Sequence, residues 1–394
     1  MRVYLSPCGI GYGHAGRTVL IARELMRRFR NVDFLFSTYM EGIRFVRGEG
    51  FPVVEAPPVY LKTKPDGTID LERTAARPGL LSIPTILNQI EKELQFMKAF
   101  RPDIVISDSR ASTLLAAKAL GIPRMCILNQ FQIIIPREKR FLRLSKLADA
   151  GVLTLVGKIW TTGPVLVPDY PPPHTISIHN LRIPKRYEKK VRLIGPLLPK
   201  RPEKLPPSEE LREKLNLDRD KPLIFAPISG PVRERAYLLG VLRRIFQSFP
   251  EEYQVVMSMG YLNSNPPLVR NSPNFRLYRW VRNRFEYLKA CDIVVARAGH
   301  ETIMHALSYG KPLILVPTPS HTEQNNNAKR AEELGVAKTI KQENLNRKTL
   351  IKAVEEVLHD EKYLRNARKM MDISSKFNAL EEIIGEIVRL YQSR

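Results

Sequence analysis

The chain has 394 residues, 43% of them hydrophobic and 26% charged, which is too long for one ordinary core and fits two soluble domains of roughly 150 to 200 residues each. Its 63 lysines and arginines against 40 aspartates and glutamates give a net charge of +23, a field that attracts polyanions without saying which. No apolar run reaches the ~18 residues of a membrane span, the N-terminus lacks the apolar stretch of a signal peptide, and no helix-turn-helix, RNP-like or zinc-finger pattern supports nucleic acid as a partner; a cytoplasmic location is expected.

In chain order, short β-branched runs alternate with helical periods. Val3 to Leu5 is followed by a helix from about Gly16 to Phe29, Val32 to Phe36 by a short helix to about Gly48, and Ile104 to Ile106 by a helix from Ala111 to Leu120, with a strand from Met125 to Leu128 next. Such alternation predicts βαβ units and a parallel sheet covered on both faces. Around Gly195 the texture changes: Pro196, Pro199, Pro202, Pro206 and Pro207 crowd among charges, and proline's fixed φ makes this stretch a semi-rigid linker. The alternation restarts at Leu223 to Pro227 and runs through a helix from Arg233 to Phe249, strands at Tyr253 to Met257 and Phe275 to Tyr278, a helix from Asn283 to Ala290 and a strand from Ile293 to Ala296. The expected division is residues 1–195, a linker at 196–221, a second domain at 222–359, and a helical segment at 360–394 that packs back on the first. That segment's apolar positions are Leu364, Met371, Phe377, Ile383, Ile384, Ile387 and Leu390. The fold class is therefore α/β, two doubly wound Rossmann-like domains facing across a cleft, where ligands bind at the carboxyl ends of the strands.

From the first domain the cleft receives the loop Gly9-Ile-Gly11-Tyr-Gly13-His14-Ala-Gly16-Arg17. Gly11, Gly13 and Gly16 fit a dinucleotide fingerprint, but the second strand ends Phe36-Ser37-Thr38 without the acidic residue such a site needs. The loop offers close backbone approach and a histidine at the sheet mouth. His14 suits a general base for a hydroxyl proton, or else it packs beneath the loop or caps the helix. Ile104-Val-Ile-Ser-Asp108 ends a buried strand in a carboxylate that could orient His14, or cap the next helix.

The second domain offers more. Ala296-Arg297-Ala-Gly299-His300-Glu301-Thr302 reads as a strand, a glycine turn and a helix whose free N–H groups and positive dipole end make a phosphate site. Ser229-Gly230-Pro231 is a second anion-friendly turn, opening a long helix. Trp280-Val281 lies on a loop where an aromatic can stack on a planar base, or sit buried beneath it. Leu313 to Val316 is followed by a polar loop, His321 to Asn327, in which Glu323 and Gln324 suit sugar hydroxyls. His300 and His305 are five residues apart and do not share a helix face, and Asp218-Arg-Asp220 falls in a charged turn away from the cleft, so metal-independent chemistry is expected. Cys8, Cys126 and Cys291 lack metal-ligand spacing and read as buried reduced thiols.

Together Gly11-Tyr-Gly-His14-Ala-Gly-Arg17, Pro102-Asp-Ile-Val-Ile-Ser-Asp108, Gly195-Pro196 and Arg297 through Gln324 resemble the GT-B glycosyltransferases of family 28, the MurG-like group, with likeness to the UDP-glycosyltransferase superfamily. The resemblance covers most of the chain. It implies a nucleotide-sugar donor, a UDP-sugar above others, as substrate with no separate cofactor. By motif, Trp280 and Val281 would flank the base, and Ser229 and Gly230 with Arg297, Gly299, His300, Glu301 and Thr302 would meet the diphosphate. Glu323 and Gln324 would hold the donor sugar. His14, helped by Asp108, would be the base of an inverting displacement, with Gly11, Gly13 and Arg17 in the acceptor-side loop. One departure stands out: the family carries a ribose-binding glutamate one turn into the phosphate helix, where this sequence has His305. Glu301 is the residue placed to compensate.

MurG-like enzymes use lipid-linked hydroxyl acceptors. Phe131 to Ile135 and the basic-apolar stretch through Arg137, Lys139, Arg140, Arg143 and Lys146 match a helix lying on an anionic membrane surface, or an ordinary amphipathic helix. Two alternatives stay open: a non-hydrolysing UDP-sugar 2-epimerase, and a non-catalytic polyanion-binding protein.

Overall fold

The computed structural model describes residues 1–59, 64–68, 83–131, 157–262 and 268–393. In the first lobe the elements run β1 (Arg2–Pro7), α1 (Gly13–Arg28), β2 (Asp33–Thr38), α2 (Glu41–Gly48), β3 (Val53–Glu55), α3 (Ile83–Phe100), β4 (Ile104–Asp108), α4 (Ala111–Ala119), β5 (Arg124–Ile127), β6 (Val165–Val167), α5 (Ile178–Leu181) and β7 (Val191–Leu193). After the linker helix α6 (Ser208–Lys214) come β8 (Leu223–Pro227), α7 (Val232–Gln247), β9 (Gln254–Ser258), β10 (Leu268–Asn271), β11 (Phe275–Tyr278), α8 (Arg284–Ala290), β12 (Ile293–Ala296), α9 (His300–Ser308), β13 (Leu313–Leu315), α10 (Thr322–Glu333), β14 (Ala337–Thr339), α11 (Arg347–His359), α12 (Glu361–Ser375) and α13 (Ala379–Gln392).

Each lobe is built on a seven-stranded sheet, ordered β3-β2-β1-β4-β5-β6-β7 in the first and β10-β11-β9-β8-β12-β13-β14 in the second. Every pairing is parallel except the edge hairpin β10-β11. Strands buried on both faces read as unbroken apolar runs, as in Ile293-Val-Val-Ala296 and Leu313-Ile-Leu315, because helices cover both sides. The order reverses between β1 and β4 in the first lobe and between β8 and β12 in the second. Connections on either side of such a switch point leave opposite faces of the sheet, so a crevice opens there. In the first lobe the register pairs Pro7 with Asp108, setting the glycine loop beside that carboxylate.

The C-terminal segment differs from the single returning helix expected. It is two helices. α12 stays on the second lobe against α9, and the chain breaks at Lys376-Phe377-Asn378, where the Asn378 side chain caps α13. Only α13 crosses, inserting Ile383, Ile384 and Ile387 among Val3, Leu5, Phe36 and Ile106 of the first core. At about 25 cal/mol per Å² the burial of these three side chains stabilises by at most roughly 5 to 9 kcal/mol. Leu364 of α12 is exposed, contrary to its expected packing role. The expected polar loop at His321 to Asn327 is in fact the start of α10; Asn326 and Asn327 serve as inter-lobe hydrogen-bond groups, while Asn325 bonds back to the Thr318 and His321 carbonyls. Cys126 and Cys291 are buried, whereas Cys8 is half-buried beside the Tyr39 hydroxyl. The basic-apolar stretch from Gln132 to Lys146 lies outside the described residues, and Phe131 before it is buried against Tyr187.

Candidate active site

The two switch points face one another. At the end of β1 the chain turns through Gly11, with φ of +71°, and enters α1 at Gly13. His14, one residue in, places Nδ1 2.7 Å from Oδ1 of Asp108 at the end of β4. Arg17, one turn further, donates from Nε and from Nη2 to the two oxygens of the same carboxylate at 2.9 and 2.7 Å, while its Nη2 also lies 2.8 Å from His14 Nδ1. Asp108 is fully buried. Burial alone would raise its carboxyl, but the charges of Arg17 and then His14 hold it below the usual carboxylate range. Asp108 is thus not the cap of α4, whose N-cap is Arg110 with no side-chain cap bond. Arg17, read from sequence only as a loop residue, fixes the Asp108 carboxylate in place and keeps it ionised.

Across the crevice, Gly299 is the N-cap of α9, so the free N–H groups of that helix start at the predicted position. Of the predicted donor residues, Ser229, Trp280, Val281, Glu301, Thr302 and His305 line one inter-lobe crevice of about 90 Å³. From the first lobe Tyr12, Gly13, Gly16 and Phe45 complete its wall. Trp280 is half-buried and meets Tyr12 edge to face at 5.9 Å between ring centroids, which places it on the crevice wall and not beneath its loop.

Five predicted donor-side residues are placed differently. Arg297 points away from the crevice: it is buried and donates to the carbonyls of Val316 and Glu234 and to Gln342 Oε1, and desolvation lowers it to about 10 against the opposing effect of Glu234. It braces the loops behind the site. The His300 ring turns to the first lobe, with Nε2 3.0 Å from Oδ2 of Asp169, leaving only its backbone N–H at the helix start. Asp169 is fully buried; desolvation pushes its carboxyl up, but His300 and bonds from Ser177 leave it below its ordinary range. Glu301 lines the crevice but reaches toward the first lobe. A methyl group at Gly13 would come within 2.9 Å of Glu301 Oε2, so this carboxylate crosses the crevice to the first turn of α1, where the dipole favours an anion. Burial raises the Glu301 carboxyl, with Arg284 and Arg17 opposing. Glu323 and Gln324 lie outside the crevice wall: Glu323 accepts from Asn129 of the first lobe at 2.9 Å, and Gln324 accepts from the Thr318 N–H at 2.9 Å.

His305 does line the crevice, in the position the family gives to a glutamate. Its Nε2 lies 3.2 Å from the Leu197 carbonyl, an acceptor, so the proton sits on Nε2 and Nδ1 carries the lone pair. Burial, reinforced by Arg284, lowers it to about 3 and keeps the ring neutral. Arg284 itself, four residues after Trp280 at the start of α8, lines the same crevice and escaped the sequence reading, as did Tyr12, Phe45 and Phe285. Cleft residues on a helix start carry no pattern of their own unless the facing lobe is known. A polar seam closes the lobes beside the crevice: Asn180 donates to Asn327, Asn326 to Asn180, and Arg330 to the Thr175 carbonyl.

Residues 236–384 match the glycosyltransferase family 28 C-terminal domain. Over nearly its whole length the chain is 28% identical to a glycosyltransferase of Methanosarcina mazei, covering 96% of this chain and 95% of that one. It is 24% identical to the Bacillus cereus UDP-N-acetylglucosamine:N-acetylmuramyl-(pentapeptide) pyrophosphoryl-undecaprenol N-acetylglucosamine transferase 1, over 99% of this chain and 100% of that enzyme. The chain is a glycosyltransferase with the GT-B fold, and its residues 236–384 carry the family 28 C-terminal domain. Solved structures agree on the fold of this glycosyltransferase: spinosyn rhamnosyltransferase SpnG complexed with thymidine diphosphate superposes with a TM-score of 0.68 at 16% identity, covering 98% of this chain and all of that one. The calicheamicin glycosyltransferase superposes with a TM-score of 0.67 at 19% identity, covering 100% and 99%. Among the described residues, no helix of the glycosyltransferase is long and apolar enough to cross a membrane.

Proposed function

We propose that the protein transfers a hexosyl or N-acetylhexosaminyl group from a UDP-sugar to an acceptor hydroxyl, with inversion at the anomeric carbon and without a divalent ion. The observation that carries this reading is the His14–Asp108 pair at the first turn of α1, whose Gly13 and Gly16 wall the crevice that Ser229, Trp280 and Thr302 line from the side of α9. With Nδ1–H donating to Asp108, His14 Nε2 keeps a lone pair and takes the acceptor proton; the oxygen attacks the anomeric carbon as the bond to the diphosphate breaks. Charge then accumulates on the departing diphosphate, and the N–H groups of α9 and the Thr302 hydroxyl stabilise it. His305 offers Nδ1 as an acceptor to one ribose hydroxyl, a weaker hold than a carboxylate would give.

The crevice is small for such a donor, since pockets for ligands of comparable size run from about 300 Å³ upward, so the lobes part along the Asn180–Asn327 seam to admit it. The Bacillus cereus relative's name gives a pyrophosphoryl-undecaprenol acceptor. On that likeness the acceptor here is lipid-linked and the enzyme works on the inner membrane face, the excess of 63 basic over 40 acidic residues drawing it to anionic headgroups. Incubation with UDP- and dTDP-sugars and a panel of hydroxyl acceptors tests the reading. His14→Ala is expected to lower transfer roughly 10²- to 10⁴-fold while UDP binding survives. Unchanged turnover would reject the base, and conversion of UDP-N-acetylglucosamine alone into its 2-epimer would replace the transferase by an epimerase.

A further inference from the structure

Arg235 is among the largest side chains in the protein that are fully buried, at 1% exposure. It stands in the first turn of the 16-residue helix α7, just after the Ser229-Gly230 turn. Its Nη1 donates to the Gly230 carbonyl. Nε and Nη2 are buried with no hydrogen-bond partner, and no carboxylate among the described residues forms an ion pair with the group. Its other neighbours are ring faces, Tyr261 at 4.8 Å and Tyr12 at 5.9 Å from the guanidinium carbon. A carbonyl and two rings offset only part of the cost of holding a cation out of water. The surroundings leave one charge and two donors unanswered.

The unanswered atoms are informative. Nε–H and Nη2–H lie on one edge of the guanidinium and point in parallel, the fork that grips two oxygens of one phosphoryl group. This edge sits at the carboxyl ends of β8 and β9, between the Gly230 turn and the loop carrying Tyr261, beside the free N–H groups of α7. Tyr12, which covers the guanidinium from the opposite lobe, is also a wall of the donor crevice and touches Trp280. The lobes meet here closely: a methyl group at Gly11 would lie 3.7 Å from the Gly230 Cα. We propose that Arg235 is a masked diphosphate receptor, covered by Tyr12 while the lobes are together and pairing through Nε and Nη2 with the donor's phosphoryl oxygens when they part. This rests on the nucleotide-sugar reading and adds to it a residue that pairs with the donor's negative charge from the α7 side, opposite the start of α9.

The test is calorimetric titration of the full chain and its Arg235→Gln and Arg235→Lys variants with UDP, uridine, inorganic pyrophosphate and a short prenyl diphosphate, with melting temperatures recorded without ligand. Arg235→Gln is expected to weaken UDP and pyrophosphate roughly 10- to 100-fold, the loss of a charge-assisted pair, and to leave uridine within about twofold. Arg235→Lys should recover part of the loss, keeping the charge but not the fork. The ligand-free melting temperature of Arg235→Gln should not fall, because the carbonyl bond and the two ring contacts it loses are offset by removing a buried charge that has no counter-ion among the described residues. A wild type that binds UDP, with a glutamine variant that binds UDP equally well but melts lower, would overturn the proposal and make Arg235 structural, leaving the donor reading intact. Loss confined to the prenyl diphosphate would overturn the assignment to the donor. Arg235-dependent binding of pyrophosphate by a wild type that ignores UDP would instead keep the receptor and remove the nucleotide-sugar reading.

Discussion

His305 gives the sharpest quantitative handle on the donor crevice. The ring is buried and donates to the Leu197 carbonyl, and burial lowers it to about 3 in the fold against 6.5 for an ordinary histidine. Because the folded value is the lower one, the unfolded chain takes up this proton first, and the stability associated with a neutral His305 is whole above pH 6.5 and drains away as pH falls toward 3. Two-state linkage puts the loss at about 0.2 kcal/mol at pH 7 and about 2 kcal/mol at pH 5, with roughly 5 kcal/mol as the limit below pH 3. His305→Gln keeps an N–H donor for Leu197 and cannot titrate. Urea unfolding of both proteins at pH 7 and pH 5 isolates the effect from the other histidines whose values are lowered, His174 and His321, which are common to both. The wild type should lose about 2 kcal/mol more than the variant over that interval. Parallel losses would refute the claim that the imidazole is held neutral, and with it the assignment of Nδ1 as the lone-pair acceptor facing the ribose.

Two further outcomes follow from the same structure. Thr302→Val removes the hydroxyl in the first turn of α9 while keeping the side chain's shape; UDP affinity measured by calorimetry should fall roughly 10-fold, and an unchanged affinity would put the diphosphate elsewhere. Ile384→Ala opens a cavity in the first-lobe core where α13 docks and should cost about 2 to 5 kcal/mol in chemical denaturation, whereas a loss below about 1 kcal/mol would mean that the returning helix is only an appendage.

Much of the architecture was legible along the chain because a parallel sheet covered on both faces needs unbroken β-branched runs, and those runs are local. β8, β11 and β12 fall where their residues place them, and Gly299 caps the helix that follows β12, as its place in the sequence suggests. Short strands such as β6, β7 and β14, three residues each, carry too few side chains for a period to show. The helical start of Thr322 to Asn327 was hidden for a different reason: asparagine and threonine have low intrinsic helix preference, and it is the His321 cap and the bonds from Asn326 and Asn327 to their neighbours that hold them helical.

The sequence by itself determined the two-lobed α/β plan, the glycine turns, and the placing of His14, Asp108, Ser229, Trp280 and Thr302 at carboxyl ends of strands, since each of these follows from residues a few positions apart. Only the tertiary structure decided what those groups face. Arg17 grips Asp108 across 91 positions, Glu301 reaches Gly13 from the other lobe, His300 turns away to Asp169, and Arg235 has no counter-ion among the described residues. Partnership of buried charges depends on distance and desolvation between lobes, and neither quantity is written in the order of the residues.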